Sequence, residues 1–140
     1  MANIFLRPFP QKPKLESVIT TAACASINST SPTNTVLLFT AGADGDTVVS
    51  ISALPRGTVT ASNLLLFISY DGGSTKYLLD SELMSAFTVA ATTKIPSTVF
   101  GKHTQINPLY LPSGASLYVG NQVALADGVA WSCNSLGFST

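Results

Sequence analysis

Leu64-Leu65-Leu66-Phe67-Ile68-Ser69-Tyr70-Asp71-Gly72-Gly73 is the most informative stretch of this sequence. It opens with an unbroken apolar run, which is typical of a central strand covered on both sides, or of a strand covered by a partner. The Asp-Gly pair that follows supplies the positive φ angles that a tight hairpin turn needs. The stretch therefore predicts a buried strand that leads into a hairpin.

Similar short segments, rich in β-branched and aromatic residues, continue on both sides of this stretch. Val49-Ser50-Ile51-Ser52-Ala53, for example, alternates apolar and polar residues as a half-buried strand does. The predicted strands span residues 17–27, 35–40, 47–54, 59–70, 76–83, 85–91, 105–111, 117–123 and 128–136. One helix is an alternative at residues 80–87, where Asp80 or Ser81 would cap it.

Turn signals separate these predicted strands at a spacing of about ten residues. Asp44, Asp71 and Asp127 each precede a glycine, which indicates a role in a turn. We therefore expect an all-β chain with a single domain at residues 17–140, an antiparallel β-sandwich of the jelly-roll type with about eight strands. An immunoglobulin-like sandwich is the alternative.

Residues 1–16 differ from the rest because they combine prolines, basic residues and apolar residues. Proline is excluded from helix interiors and from central strands, so we expect an extended N-terminal arm. Disordered tails are usually poor in apolar residues, which favours an arm that lies across a neighbouring subunit over a floppy terminus. The predicted binding residues of this arm are Ile4, Phe5, Leu6, Arg7, Phe9, Lys12 and Lys14.

Charged residues make up only 10% of the chain, and seven basic residues balance seven acidic ones. Binding of nucleic acid usually requires a basic face, so we expect no nucleic-acid partner. A net charge near zero permits self-association. No apolar run approaches the roughly 20 residues that span a bilayer, and the first residues lack the pattern of a signal peptide. We therefore expect no membrane partner and synthesis in a cytoplasm.

The sequence offers few groups for catalysis or metal binding. His103 is the single histidine, and its surroundings indicate a solvated loop residue. Asp80 and Glu82 would share one face of a strand, where they would either bind a cation or be solvated. Asp44-Gly45-Asp46 resembles a calcium loop but lacks the further oxygen ligands. We therefore predict no catalytic residues, no metal and no cofactor, and no enzymatic activity.

The two cysteines and the single tryptophan each leave an alternative open. Cys24 and Cys133 would stay reduced in a cytosolic protein and pack as small apolar residues, or they would form a bond between the first and last strands. Trp131 is predicted to lie in the core. Exposed on a surface instead, it would provide a stacking platform for a carbohydrate together with tyrosines.

Four stretches of the sequence resemble small structural proteins of tailed bacteriophage particles. They are Leu38-Phe39-Thr40-Ala41-Gly42-Ala43-Asp44-Gly45, Val48-Val49-Ser50-Ile51-Ser52-Ala53, the apolar stretch at 64–73, and Asn107-Pro108-Leu109-Tyr110-Leu111-Pro112-Ser113-Gly114-Ala115-Ser116-Leu117-Tyr118-Val119-Gly120. Among these proteins, the similarity is greatest to the jelly-roll head decoration, or cement, proteins. It covers roughly residues 35–137 and consists of strand and turn signatures.

This resemblance implies a virion protein on the exterior of the capsid, with the major capsid protein as its partner and with itself as a second partner in a homodimer or homotrimer. The implied role is reinforcement of the capsid by bridging of its subunits. A structural protein of the tail, fibre or baseplate is the first alternative, and a carbohydrate-binding jelly-roll module is the second.

Overall fold

A computed structural model describes residues 9–139, which form nine strands and no helix. The strands are β1 Phe9–Thr20, β2 Val36–Thr40, β3 Asp46–Pro55, β4 Ser62–Ser69, β5 Tyr77–Met84, β6 Thr98–Val99, β7 Leu109–Leu111, β8 Ser116–Asn121 and β9 Val129–Ser139. The prediction of an all-β chain is confirmed, and the alternative helix at residues 80–87 is wrong because β5 runs through most of that stretch.

The strands form two antiparallel sheets. One sheet has five strands in the order β1-β9-β3-β6, with β7 also paired to β3, and the other has four strands in the order β2-β8-β4-β5. Because β6 and β7 pair with different parts of β3, they occupy the place of one interrupted strand. The larger sheet is therefore four strand positions wide.

The connectivity follows one long ribbon that has been rolled up. The pairs β1·β9, β2·β8, β3·β6/β7 and β4·β5 are successive rungs of this ribbon, and they alternate between the two sheets. This is the strand arrangement of a jelly roll. The predicted sandwich and its approximate number of strands are confirmed.

Strand β4 shows why the sequence carries an unbroken apolar run there. Leu64, Leu66 and Ile68 point into the core between the two sheets, whereas Leu65 and Phe67 point to the opposite side of their sheet. All of these side chains are buried. The predicted central strand, covered on both sides, is confirmed.

The core between the sheets contains Trp131, as predicted. Its indole N–H donates a hydrogen bond of 2.9 Å to the hydroxyl of Thr20, and its ring lies 5.7 Å from that of Phe100. A buried indole usually finds such a partner for its N–H group. The position of Trp131 in the core removes it from any carbohydrate-stacking surface.

Three of the predicted strands are shorter than expected or missing. The strand predicted at 17–27 ends at Thr20, and the one at 105–111 is reduced to β7 because Thr104 and Asn107 bond to each other in a loop. Residues 85–91 form only an isolated bridge between Phe87 and Val59. Their composition favours strands, but no neighbouring strand runs alongside to complete the pairing.

The described part of the predicted N-terminal arm lies in the first half of β1. Residues 9–16 pair with β9, from Phe9 opposite Ser139 to Glu16 opposite Cys133, so the strand crosses the boundary drawn at residue 16 without a break. The prolines fit there because β1 is an edge strand. Ile4, Phe5, Leu6 and Arg7 lie outside the described residues.

Candidate functional site

The outer surface of the five-stranded sheet is not covered by any other segment within residues 9–139. In a strand, successive side chains point to opposite faces. Along β1, Val18 and Thr20 point toward the core, whereas Leu15 and Ile19 are exposed on the outer side. The same alternation along β9 and β3 places every second residue on this outer surface.

The described charged side chains of these strands are turned away from that surface. The ammonium group of Lys14 lies 3.1 Å from the carboxylate of Asp46, which is fully buried and also accepts the N–H of Gly42 at 2.6 Å. Glu16 lies on the same side as Lys14, beside Val18 and Leu38. The ion pair therefore keeps its charges on the inner side of the sheet.

We call the outward residues of this sheet the uncharged face. They share an exposed or half-buried position and a side chain without charge. They are Pro13, Leu15, Ser17 and Ile19 of β1, Ala130, Ser132, Asn134 and Leu136 of β9, Ser50, Ser52 and Leu54 of β3, Val99 of β6 and Tyr110 of β7.

The middle of the uncharged face is a ladder of small polar side chains. The hydroxyls of Ser52 and Ser132 lie 3.0 Å apart, and the amide of Asn134 donates to the hydroxyl of Ser50 at 2.9 Å. Larger apolar side chains flank the ladder: Leu15 is 66% exposed, Ile19 48%, and Leu54 41%. The face therefore combines aliphatic area with uncharged hydrogen-bonding groups.

The uncharged face is broad and shallow. Four strand positions about 4.8 Å apart, with outward rows about 6.8 Å apart, cover roughly 500 Å². Two open depressions interrupt it, one beside Pro13, Leu15 and Leu136, the other beside Ser17, Ile19 and Leu54. A flat surface of this kind suits contact with another protein better than enclosure of a small molecule.

The outer surface of the four-stranded sheet is different, because the chain covers it. Residues 21–35, which we call the covering segment, place Cys24 and Ile27 on Leu65 and Phe67. The N–H of Cys24 bonds to Asn121 of β8 at 2.7 Å, and the carbonyl of Thr30 accepts the N–H of Lys76 at 2.9 Å. The segment thus buries the second apolar side of β4.

Asp80 and His103 meet at one open edge of the sandwich. Asp80 lies on β5, an edge strand, and its side chain points inward like that of its partner Leu66. His103 follows β6 at the edge of the other sheet, and its Nε2 lies 3.5 Å from the Asp80 carboxylate. The ammonium group of Lys102 lies 3.6 Å from the same carboxylate group. This cluster links the edges of the two sheets.

The predictions for these residues are wrong in part. His103 is buried rather than solvated, and Asp80 is buried while its neighbour Glu82 is half-buried. Burial lowers the pKa of His103 below its ordinary value of 6.5, and the Asp80 carboxylate opposes this shift. The prediction failed because the sequence around a loop histidine does not reveal that a carboxylate of the other sheet will lie beside it.

The turn residues and the cysteines agree with most of what the sequence predicts. Gly45, Gly72 and Gly128, which follow the three turn aspartates, have positive φ angles. Asp46, which the sequence placed in a calcium-like loop, forms an ion pair with Lys14. Cys24 and Cys133 are free, buried thiols, which is the first of the two alternatives that the sequence left open.

The predicted arm residues are only partly described. Lys14 forms an ion pair with Asp46, and its side chain remains 33% exposed. For Phe9 and Lys12 the structure gives the backbone pairing with Ser139 and Gly137. The uncharged face was not predicted from the sequence, although its signal is present in β1, where every second residue from Pro13 to Ile19 is uncharged.

Two further findings apply to the described residues 9–139. No three of their histidine, cysteine, aspartate and glutamate side chains come together as a metal site would require. None of their secondary structure is a helix that would cross a membrane.

Comparisons with known proteins give little more. No protein-family model matches the chain, and no curated protein matches it. A solved structure described as that of the infectious bursal disease virus Gt strain is similar over 97% of this chain and 35% of the other, with 15% identity. Its TM-score is 0.33, which is too low to support a conclusion about fold or function.

Proposed function

We propose that this protein is a structural component of a tailed-phage virion that binds the outside of the capsid and bridges neighbouring copies of the major capsid protein. The observation that carries this proposal is the uncharged face, a roughly 500 Å² surface on a closed sandwich that offers contact rather than chemistry. The sequence resemblance to head decoration proteins gives the proposal its specific location.

The scarcity of charge fits a protein that must lie against other proteins. Desolvating a charged side chain at an interface is expensive unless it is paired, whereas hydroxyls and aliphatic groups are desolvated at much lower cost. In a lattice each contact needs only modest strength, because many identical contacts act together. The described residues place their ion pairs at the inner side and at one edge of the sandwich.

In this proposal the N-terminal segment makes the contact with the capsid. Residues 1–8 precede β1, and extended chain of that length reaches at most about 28 Å. Its apolar residues Ile4, Phe5 and Leu6 would bury against the capsid surface, and Arg7 would add a charge-assisted contact. The proposed role is mechanical, and it assigns the protein no reaction.

The location can be tested on intact particles of the phage that encodes this chain. Gold-labelled antibodies raised against the purified protein should decorate the head in a regular pattern when the particles are viewed by electron microscopy. Label on the tail or fibres, or no label on particles at all, contradicts the proposed location.

The role of the N-terminal segment can be tested by deleting residues 1–8, which leaves every residue of β1 in place. We expect this variant to co-sediment with emptied heads at least tenfold more weakly than the full chain, with an unchanged thermal midpoint. Lys94→Ala is the matched control, because it removes one exposed positive charge, as the deletion removes Arg7. Equal binding of the deletion variant and the full chain contradicts this role.

A further inference from the structure

We propose that the uncharged face is an interface between two copies of this chain, packed sheet against sheet around a two-fold axis. The inference assigns an occupant to the uncharged face, whereas the proposed contact with the capsid is made by the N-terminal segment, so the two can be tested separately. It rests on the charge, chemistry and size of the face, and on its contrast with the opposite side of the sandwich.

The lack of charge on the uncharged face indicates what kind of partner it can bind. A face without charge gains no Coulomb energy from an acidic or a basic partner, so it favours a surface that is also uncharged. In a two-fold contact the same patch appears on both sides, and here that patch places no like charges together. The chain also has a net charge of zero, so two copies do not repel one another at a distance.

The ladder of small polar side chains on the uncharged face is complementary to the same ladder of a second copy. A serine hydroxyl both donates and accepts hydrogen bonds, so a water molecule can bridge Ser17, Ser52 and Ser132 of one copy to the same residues of another. The flanking side chains Leu15 and Ile19 then supply the apolar area. Sheets that pack in this way lie about 10 Å apart, a distance that such side chains fill.

The size of the face agrees with a dimer. A standard interface buries about 800 Å² of accessible surface on each partner. The flat outline of the uncharged face is roughly 500 Å², and its accessible area is larger because Leu15 and Tyr110 are 66% and 68% exposed. Two such faces therefore bury about 1,000 Å² in flat outline, which is at the lower limit for a specific interface and fits a weak, reversible dimer.

On the opposite side of the sandwich, the chain itself buries the apolar outer surface of the sheet. There the covering segment lays Cys24 and Ile27 over Leu65 and Phe67. No described segment of the chain crosses the uncharged face, which keeps Leu15, Ile19 and Leu54 exposed. A second copy would bury these side chains as the covering segment buries those of β4.

Sedimentation velocity of the purified full chain, at concentrations up to about 1 mM, tests the inference. We expect a reversible monomer–dimer equilibrium. Ser17→Lys puts a charge into the ladder of both copies and should weaken the dimer at least tenfold. Ser81→Lys is the matched control, because Ser81 is also an exposed serine on the outer side of an edge strand, but in the other sheet.

Dimers that persist in Ser81→Lys and weaken in Ser17→Lys support the inference. A chain that stays monomeric up to about 1 mM overturns it, as does a dimer that only Ser81→Lys weakens. A closed trimer also overturns it, because a trimer cannot form through a single two-fold contact. None of these results alters the binding of residues 1–8 to emptied heads, so failure of the dimer is distinguishable from failure of the virion role.

Discussion

The outer surfaces of the two sheets are built from similar strands, yet they end in different states. On the four-stranded sheet, Leu65 and Phe67 are buried under the covering segment. On the five-stranded sheet, Leu15 and Ile19 remain exposed among serines. The difference shows that burial of one apolar surface contributes to folding, whereas the other stays exposed in the folded chain and, in our proposal, contacts a second copy.

The chemistry of the two surfaces matches these roles. Under the covering segment, Gly120 brings β8 so close that a Cβ atom there would lie 3.1 Å from that of Cys24. Close packing of this kind favours a single arrangement of the segment. On the uncharged face, hydroxyls and an amide separate the aliphatic side chains, which limits the continuous apolar area that water must contact.

Removing an aromatic ring from the covered surface should have the largest effect. Phe67 is fully buried, so Phe67→Ala should lower the free energy of unfolding by about 3–5 kcal/mol, which denaturant titration at low protein concentration would measure. Leu54→Ala on the uncharged face is the control and should cost about 1 kcal/mol or less. Similar losses for both variants would contradict the contrast between the surfaces.

His103, at the edge where the two sheets meet, should make the free energy of unfolding depend on pH. Because burial lowers the pKa of His103, the folded protein binds a proton there less readily than the unfolded chain. Stability should therefore fall as the pH decreases through about 6.5 toward the lower pKa of the folded state. His103→Gln removes this proton site, so its stability should decrease less between pH 7 and pH 5 in denaturant titrations.

Lys102→Gln provides a second variant at that edge. The ammonium of Lys102 lowers the pKa of His103, so its removal should reduce the pH dependence without abolishing it. Parallel stability curves for the wild-type protein and His103→Gln would contradict the burial of His103 at this edge.

The reaction rates of the two thiols report separately on opening of the covering segment and of the core. This prediction involves the smallest change in stability. Burial raises the pKa of Cys133 to about 12, and it also raises the pKa of Cys24. Local opening of the covering segment should expose Cys24 to a thiol reagent several-fold faster than Cys133, which requires global unfolding. Gly120→Ala should speed the reaction of Cys24 alone. Equal rates for both thiols would show that the segment does not open separately.

The sequence predicts the sandwich well because its main signals are local. The apolar run of β4 and the glycines after Asp44, Asp71 and Asp127 report on strands and turns within a few residues. The extent of β1 is not local information. Its prolines indicated an arm, but they are compatible with an edge strand, and the identity of its partner β9 depends on residues more than a hundred positions away.

The candidate site could be predicted only in part for the same reason. The alternation of uncharged residues from Pro13 to Ile19 is visible in the sequence, but the faces of β9 and β3 join it only after pairing sets their register. The approach of His103 to Asp80 likewise depends on how the two sheets close. Contacts between distant segments, and not local propensity, determine both.

A dilution series of methyl spectra by nuclear magnetic resonance tests the contrast between the two surfaces most directly. Dilution from about 1 mM should shift the methyl signals of Leu15, Ile19, Leu54 and Val99, because a second copy leaves the uncharged face, while those of Leu65 and Leu83 on the other sheet stay constant. Constant signals on the uncharged face, or shifts confined to Leu65 and Leu83, would contradict the account.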